Sequence, residues 1–390
     1  MKIAHLTTSL TGGAGLAASR QVQALRDSGY DVHLLTQRNS KGETSGFSKV
    51  LTAFQSYCIE SKSELMTPIS LCALSEEEMQ EFDVIHFHAF YNMINTRFLL
   101  NIAEKRRIFI TLHDERYLTG GCHQVGDCAN YELNCRSCPR VHKIFRPLVE
   151  KERGQIDEML SHPNVNLVIP SQWIKKRIDF KKLFAIDSRL KLIRNPIPEP
   201  TPNKSFRVHS HSVESAGKFV LGFVAVDLLS PWKGLDDFIG ALESLDKSTL
   251  EKLYVLLIGK HGEVDISNIG CKVQIIRDAK PEIIRDLYSK MNLLVVPSKQ
   301  DNSPNVIGEA LYQGCKVLGS NKGGIPELLS LFNMKSIDTS DRKRFAQAIQ
   351  EEIMSTEITD KGKIIKQART IFGYKRFSEE LISFYNSSSM

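Results

Sequence analysis

Residues 292–327 constrain the fold more than any other stretch. Leu293 to Val296 is an apolar run closed by Pro297, the pattern of a short buried strand. Ser298 to Asn305 is polar and contains Pro304, so it reads as a loop. Val306 to Gln313 has apolar residues at helical spacing and stops at Gly314, a residue suited to ending a helix. Val317 and Leu318 begin a second strand. Strand, loop, helix, strand is the building block of a parallel sheet, because parallel strands need a crossover long enough to hold a helix.

The loop of this unit carries chemistry. Asp301 lies eight positions before Glu309, so one carboxylate is in the loop and the other is on the first turns of the helix. Ligands of parallel sheets gather beyond the carboxyl ends of the strands. Backbone N–H groups at the helix start, near Asn305 and Val306, favour a phosphate. A carboxylate pressed on phosphate would repel it, which directs Glu309 toward sugar hydroxyls such as a ribose diol. The spacing equally fits a turn-capping Asp301 and a surface Glu309.

The pattern of strand and helix recurs along the chain. Ile3 to Leu6 reads as a strand, followed by the glycine-rich Gly12-Gly13-Ala14-Gly15, a helix ending near Gly29, and a strand from Val32 to Leu35. Glycines let backbone N–H groups approach a ligand closely. The spacing is not the dinucleotide fingerprint, and no acid closes the second strand at Thr36-Gln37-Arg38, which disfavours NAD. Residues 39–80 are polar and poorly periodic, with a short helix around Ser75 to Glu81. Further strands are expected at Val84 to His88, Ile108 to Leu112, Val165 to Ile169 and Leu190 to Ile193. His86 and His88 fall on one side of their strand, as hydrogen-bonded imidazoles or as a metal pair. His113 ends a strand and precedes Asp114, where an imidazole can bind phosphate or a sugar hydroxyl, or orient a leaving group.

A chain of 390 residues exceeds the size at which single cores split, so two domains are expected. Residues from Pro196 to about Gly217 are rich in Pro, Ser, His and Asn without periodicity and read as the linker. After it come strands at Phe219 to Val224, Tyr254 to Gly259 and Val273 to Ile276, with helices at Leu235 to about Leu245 and Pro281 to Lys290. Lys233 stands in the turn between the first of these strands and its helix, a good position for a diphosphate partner and an ordinary one for an exposed lysine. The tail from Asp341 to about Asn386 is mostly helical.

No apolar run approaches membrane-spanning length, and the start, MKIAHLTTSL, is too polar for a secretory signal, so the expected location is cytoplasmic. In that compartment the eight cysteines should be thiols or metal ligands. Four of them, Cys122, Cys128, Cys135 and Cys138, form C-x5-C-x6-C-x2-C in a loop of little apolar content. A structural zinc would order such a loop; free thiols or a redox pair are the alternatives. The net charge of +6 is concentrated: Arg140 to Arg194 holds 13 Lys/Arg against 6 Asp/Glu. That segment suits an anionic membrane surface, at the inner face, or a set of solvated helix faces.

Taken together, Gly12-Gly13, Asp83 to His88, Thr111 to Asp114, Pro170-Ser171, Asn195-Pro196, Lys233-Gly234 and the run from Pro297-Ser298 to Gly323-Gly324-Ile325-Pro326-Glu327 resemble retaining glycosyltransferases of the GT-B fold, family 4 type, of the kind that build bacterial surface polysaccharides such as lipopolysaccharide or capsule. The resemblance spans nearly the whole chain. It implies an α/β protein of two Rossmann-like domains facing across a cleft: residues 1–195 on the acceptor side, with the cysteine-rich loop at 120–140; the linker 196–217; residues 218–370 binding the nucleotide-sugar; and a final helix at 371–390 packing back on the first domain. It implies transfer of a sugar from a UDP- or GDP-sugar to a glycan or lipid-linked acceptor with retention of configuration, without a catalytic cofactor and without nucleic acid. A non-catalytic nucleotide-sugar-binding subunit of a polysaccharide assembly complex is the alternative. By position the resemblance gives Lys233 the diphosphate, Glu309 the ribose, Asn305 and Val306 the phosphates, Gly13 a loop closing over the diphosphate, and Asp301 and His113 the catalytic neighbourhood of the donor sugar. Two departures stand out: Asp301 replaces the family's usual glutamate, and no arginine precedes Lys233.

Overall fold

The computed structural model describes residues 1–36, 74–91, 93–179, 187–199, 217–260, 262–356 and 359–387, with single residues at 50, 54, 69, 213 and 215. Most of the polar excursion expected at 39–80 and most of the linker expected at 196–217 lie outside the described residues. The chain divides into two compact units. One comprises Met1–Pro196 with Tyr374–Met390, and the other Ile197–Gly373.

The first unit holds a six-stranded parallel sheet in the order β2-β1-β3-β4-β5-β6. Its strands are β1 (Lys2–Thr7), β2 (Asp31–Thr36), β3 (Val84–Phe87), β4 (Ile108–Thr111), β5 (Val165–Ile169) and β6 (Leu190–Leu192). The helices are α1 (Gly12–Asp27), α2 (Glu77–Gln80), α3 (Thr96–Lys105), α4 (Arg146–Ser161) and α5 (Gln172–Asp179). Strands β3, β4 and β5 are buried along their whole length. Helices on both faces demand this, so these strands read as continuous apolar runs instead of alternating ones.

The second unit repeats the plan with strand order β12-β11-β10-β7-β8-β9, again all parallel. It runs β7 (Phe219–Asp227), α6 (Leu235–Glu243), α7 (Lys247–Leu250), β8 (Leu253–Lys260), β9 (Lys272–Arg277) and α8 (Pro281–Lys290). Then come β10 (Leu293–Val296), α9 (Asn305–Tyr312), β11 (Lys316–Ser320), α10 (Ile325–Ser330), β12 (Ser336–Ile337), α11 (Arg342–Met354) and α12 (Lys361–Phe372). All four residues of β10 are buried, each contributing roughly 1.5–3 kcal/mol relative to exposure.

The last helix, α13 (Tyr374–Ser387), belongs to the first unit. Its Phe377, Leu381, Phe384 and Tyr385 join Ile3, Val22 and Leu25 in one cluster, and the Ser378 hydroxyl donates to the Ala24 carbonyl at 2.8 Å. A residue near the end of the chain is thereby set against the first strand.

Candidate active site

The strand order of the second unit puts a switch point between β7 and β10. The chain runs outward from β7 to β8 and β9, then returns to lay β10 on the opposite side. Loops leaving two such strands diverge and open a crevice at their carboxyl ends. The turn after β7 carries Lys233, and the loop after β10 carries Asp301. The two meet, with Lys233 Nζ donating to Asp301 Oδ2 at 2.6 Å. The side chains are 33% and 16% exposed, so the pair is reachable from solvent. An ammonium has three donors, and this bond uses one.

Glycines let these segments come so close. Gly234 has φ +73, and a Cβ on it would lie 2.2 Å from the Pro297 carbonyl oxygen. Gly323 has φ +65, and its Cβ would lie 2.0 Å from the Asp301 carbonyl oxygen. The Lys299 N–H donates to the Trp232 carbonyl at 2.9 Å, the Gly324 N–H to the Asp301 carbonyl at 2.8 Å, and the Ser320 hydroxyl to the Ser298 carbonyl at 2.6 Å. Asp301 therefore projects from a backbone held on both sides.

Helix α9 begins on the same loop. Its cap residue is Pro304, which supplies no side-chain acceptor, and its first turn contains no acid. Helices α3, α11 and α12, by contrast, are capped by the side chains of Asn95, Asp341 and Asp360. The positive end of the α9 dipole lies at Asn305 and Val306. Glu309 lies one turn on, partly exposed, and accepts a hydrogen bond from the Tyr288 hydroxyl at 3.1 Å. Tyr288 was not singled out by the sequence reading; its partner is 21 positions away, on another helix.

The stretch from Val226 to Trp232 before Lys233 holds no arginine; in it the Asp227 carboxylate accepts the Leu229 N–H at 3.0 Å and closes the turn. Arg277, a candidate substitute, ends the edge strand β9, two strands from β7 and so roughly 10 Å across the sheet. Lys299, two positions before Asp301, is held by Asp236 at 2.9 Å and Asp237 at 3.7 Å.

In the first unit the switch point falls between β1 and β3. The glycines after β1 have separate reasons. Gly12 has φ +78, and a Cβ on Gly15 would lie 2.2 Å from the Ser9 carbonyl oxygen. A Cβ on Gly13 would meet nothing within 4 Å. Neither a positive φ nor packing requires a glycine at 13.

His113 sits just past β4 at the head of a file of six side chains. Its Nε2 lies 3.0 Å from His88 Nδ1, and His88 Nε2 lies 2.8 Å from His5 Nδ1. His5 Nε2 faces the Tyr385 hydroxyl at 3.2 Å, which faces His86 Nδ1 at 2.5 Å, and His86 Nε2 faces Thr111 Oγ1 at 2.7 Å. His5, His86 and His88 are wholly buried. Burial drives their pKa values down: His5 to about 3, helped by Arg26, and His86 and His88 well below the usual value, helped by neighbouring imidazoles. Burial also takes His113 to about 4, against the opposing pull of Asp114. Each neutral imidazole has one N–H and one lone pair, so the hydrogen bonds must run in one sense along the file. The sense of the file fixes which nitrogen of His113 carries the proton.

His5, His86 and His88 also bring three potential ligand atoms within 4.8 Å of one another, the one such group among the described residues. All six of their ring nitrogens already face a hydrogen-bonding partner, so of the two readings of His86 and His88 the hydrogen-bonded one holds. The sequence offered His86 and His88 but not His5 or Tyr385. The pairing of His5 with His86 needs the strand register, and Tyr385 lies 299 positions from His86.

Asp114 is turned away from this file. Its Oδ1 accepts the Arg116 N–H at 2.8 Å, and its Oδ2 faces His123 Nδ1 at 2.8 Å. Burial alone would raise its pKa, but His123 and the amide outweigh it and hold the carboxyl below its usual value. Cys122, Cys128, Cys135 and Cys138 line a single cavity in the following loop. Much of the basic segment turns inward. Arg140, Arg146, Arg153 and Arg189 donate to backbone carbonyls, and Arg177 pairs with Glu115 at 3.0 Å. Lys143, Lys151, Lys176 and Lys191 remain exposed.

Residues 218–354 match the family model described as "Glycosyl transferases group 1". Over 321 residues the chain is 24% identical to the Escherichia coli (strain K12) protein named as the colanic acid biosynthesis glycosyl transferase WcaC, covering 78% of this chain and 76% of that protein. Among solved structures, the sucrose-phosphate synthase of Thermosynechococcus elongatus aligns with a TM-score of 0.68 at 14% identity, over 99% of this chain and 98% of that one. Anabaena HepE in complex with UDP-glucose aligns with a TM-score of 0.63 at 18% identity, over 99% and 100%. The fold is thus that of GT-B glycosyltransferases, with two Rossmann-like domains, and the match to the group 1 model falls within its second unit.

Proposed function

We propose that this chain transfers a sugar from a UDP- or GDP-sugar to a glycan or lipid-linked glycan in polysaccharide biosynthesis, retaining the anomeric configuration. The observation that carries this reading is the Lys233–Asp301 pair at the β7/β10 switch point, beside the start of α9. The two remaining Lys233 donors and the first amides of α9, at Asn305 and Val306, suit a diphosphate. Glu309, steadied by Tyr288, suits the ribose hydroxyls. Asp301, its charge balanced by Lys233, suits the hydroxyls of the donor sugar. In the first unit Gly13 is assigned to the diphosphate and His113 to the donor sugar near the reacting carbon. The departing diphosphate then takes the acceptor proton on the face it leaves, which retains configuration. The name of the WcaC relative and the UDP-glucose bound to HepE support the substrate class. The exposed lysines between Arg140 and Arg194 support docking on an anionic membrane surface. Co-sedimentation with anionic vesicles at low salt tests this docking, and no binding would remove it.

A thermal-shift screen with UDP-, GDP-, ADP- and dTDP-sugars tests the donor site. One nucleotide class should raise the melting temperature, with a gain of about 2.7 kcal/mol at a hundredfold excess over Kd. Glu309→Ala should lose that shift while keeping its ligand-free melting temperature. A shift with no sugar nucleotide, or an undiminished shift in Glu309→Ala, would overturn the reading.

A further inference from the structure

We propose that Cys122, Cys128, Cys135 and Cys138 form a four-thiolate site for one zinc ion, which orders the loop joining β4 to α4 and holds Asp114 in place. All four line a single cavity of about 20 Å³, the size of one water molecule or ion. Cys122, Cys135 and Cys138 are buried, and Cys128 is half-buried. The rest of the lining, including Thr119, Gly120, Val125, Tyr131 and Val149, holds no carboxylate or imidazole. The donor set is therefore purely sulfur, which selects a tetrahedral zinc-class ion and leaves no open position for catalysis.

The loop has little else to give it shape. Between β4 and α4 the regular structure consists of three single turns, Arg116–Leu118, Ala129–Tyr131 and Lys143–Phe145. Asn134, Cys135 and Ser137 all adopt left-handed backbone, with φ of +56, +58 and +51. Three such non-glycine residues within four positions persist only where something outside the backbone holds them. Their winding turns Cys135 and Cys138 into the same cavity. The Arg140 guanidinium donates to Cys122 Sγ. No three of the sulfurs lie within 4.8 Å of one another, whereas zinc–sulfur bonds of about 2.3 Å would set them roughly 3.8 Å apart. Loading therefore draws the thiols inward into the cavity between them. Four thiols give up four protons as the ion binds, and no electron is transferred.

The loop reaches the candidate site through three contacts. The Val125 N–H donates to Glu115 Oε2 at 2.7 Å, the Glu115 N–H donates to the His123 carbonyl at 3.2 Å, and His123 Nδ1 faces Asp114 Oδ2. Asp114 adjoins His113, so an ordered loop positions that end of β4.

The test uses the full chain, purified under reducing conditions, and does not depend on sugar transfer. After treatment with a chelator, the protein is titrated anaerobically with Co²⁺. Thiolate-to-cobalt charge-transfer absorption should saturate at one equivalent and be displaced by Zn²⁺. Cys135→Ser with Cys138→Ser should abolish that absorption, and His5→Gln should leave it intact. Absence of the charge-transfer band in the wild-type chain would overturn the proposal. So would a mass spectrum of the natively purified chain showing these cysteines as two disulfides, or loss of the metal on His5→Gln.

Discussion

The two units share a fold and use it in opposite electrostatic ways. At the second unit's switch point the chain displays charge: a lysine paired with an aspartate, both partly exposed, next to a helix start with no cap of its own. Beside the first unit's switch point it holds neutral groups, three buried imidazoles, a half-buried fourth and a phenol, and desolvation holds the imidazole pKa values down. A charged pair left accessible can exchange one partner for an incoming anion. A file of buried neutral groups cannot admit a charge, but it can fix the orientation of a proton. The sheet provides the ends of its strands in both cases, and the side chains decide whether those ends attract a ligand or orient one.

Lys233→Ala should be the most damaging way to break the charged half. Removing a preorganised donor from a centre of developing charge costs roughly 10²–10³ in kcat. A loss below tenfold in sugar transfer would mean that Lys233 is only a surface partner of Asp301. Acid should next separate the two units. The folded pKa values of His5 and His113 lie below 6.5, so the unfolded chain binds protons that the folded chain refuses. Their contribution is complete above about pH 6.5 and is lost as pH falls toward 4. His5 alone accounts for a loss on the order of 3 kcal/mol at pH 4. The second unit's three histidines, His209, His211 and His261, lie outside the described residues, and no such file is found among those described. Trp173 and Trp232, one in each unit, can report the two halves separately in single-tryptophan variants. Unfolding of the first unit at higher pH than the second is expected, and coincident acid transitions would contradict it.

Tyr385→Phe is a finer probe of the neutral half. It strands one nitrogen of His5 and one of His86, at a cost of about 1–3 kcal/mol in stability. It should also change the tautomer population of His113, read by nitrogen chemical shifts. An unchanged His113 spectrum would show that the file does not set its proton. Gly13→Ala should have the smallest structural effect, within about 0.5 kcal/mol, because its Cβ meets nothing within 4 Å. Weakened donor binding on an unaltered fold would assign Gly13 to the ligand, and unaltered binding would withdraw it from the site.

The fold was largely legible in the residues. Leu293–Val296 and Pro281–Lys290 form a strand and a helix with the bounds their apolar runs and prolines suggest. Strands buried on both faces announce themselves as apolar runs, and helices by glycine and proline at their ends. The candidate site was legible as single residues and not as pairs. Lys233 and Asp301 are 68 positions apart, and their meeting depends on β10 returning beside β7, which no local pattern encodes. The distance from His5 to Tyr385, 380 positions, depends in addition on the last helix rejoining the first unit. The inward turn of the arginines between Arg140 and Arg194 was also hidden, because a charge count carries no information on which carbonyls a guanidinium reaches.

Calorimetric titration of UDP into the wild-type chain and into Lys233→Ala, at low and moderate salt, addresses the central claim most directly. A lysine meeting a diphosphate beside a helix start predicts saturable wild-type binding that weakens with salt, and a roughly 10–100-fold higher Kd in the variant, the loss of a charged hydrogen bond of about 1.5–3 kcal/mol. Equal affinity in the two proteins, or no binding of UDP to either, would contradict it.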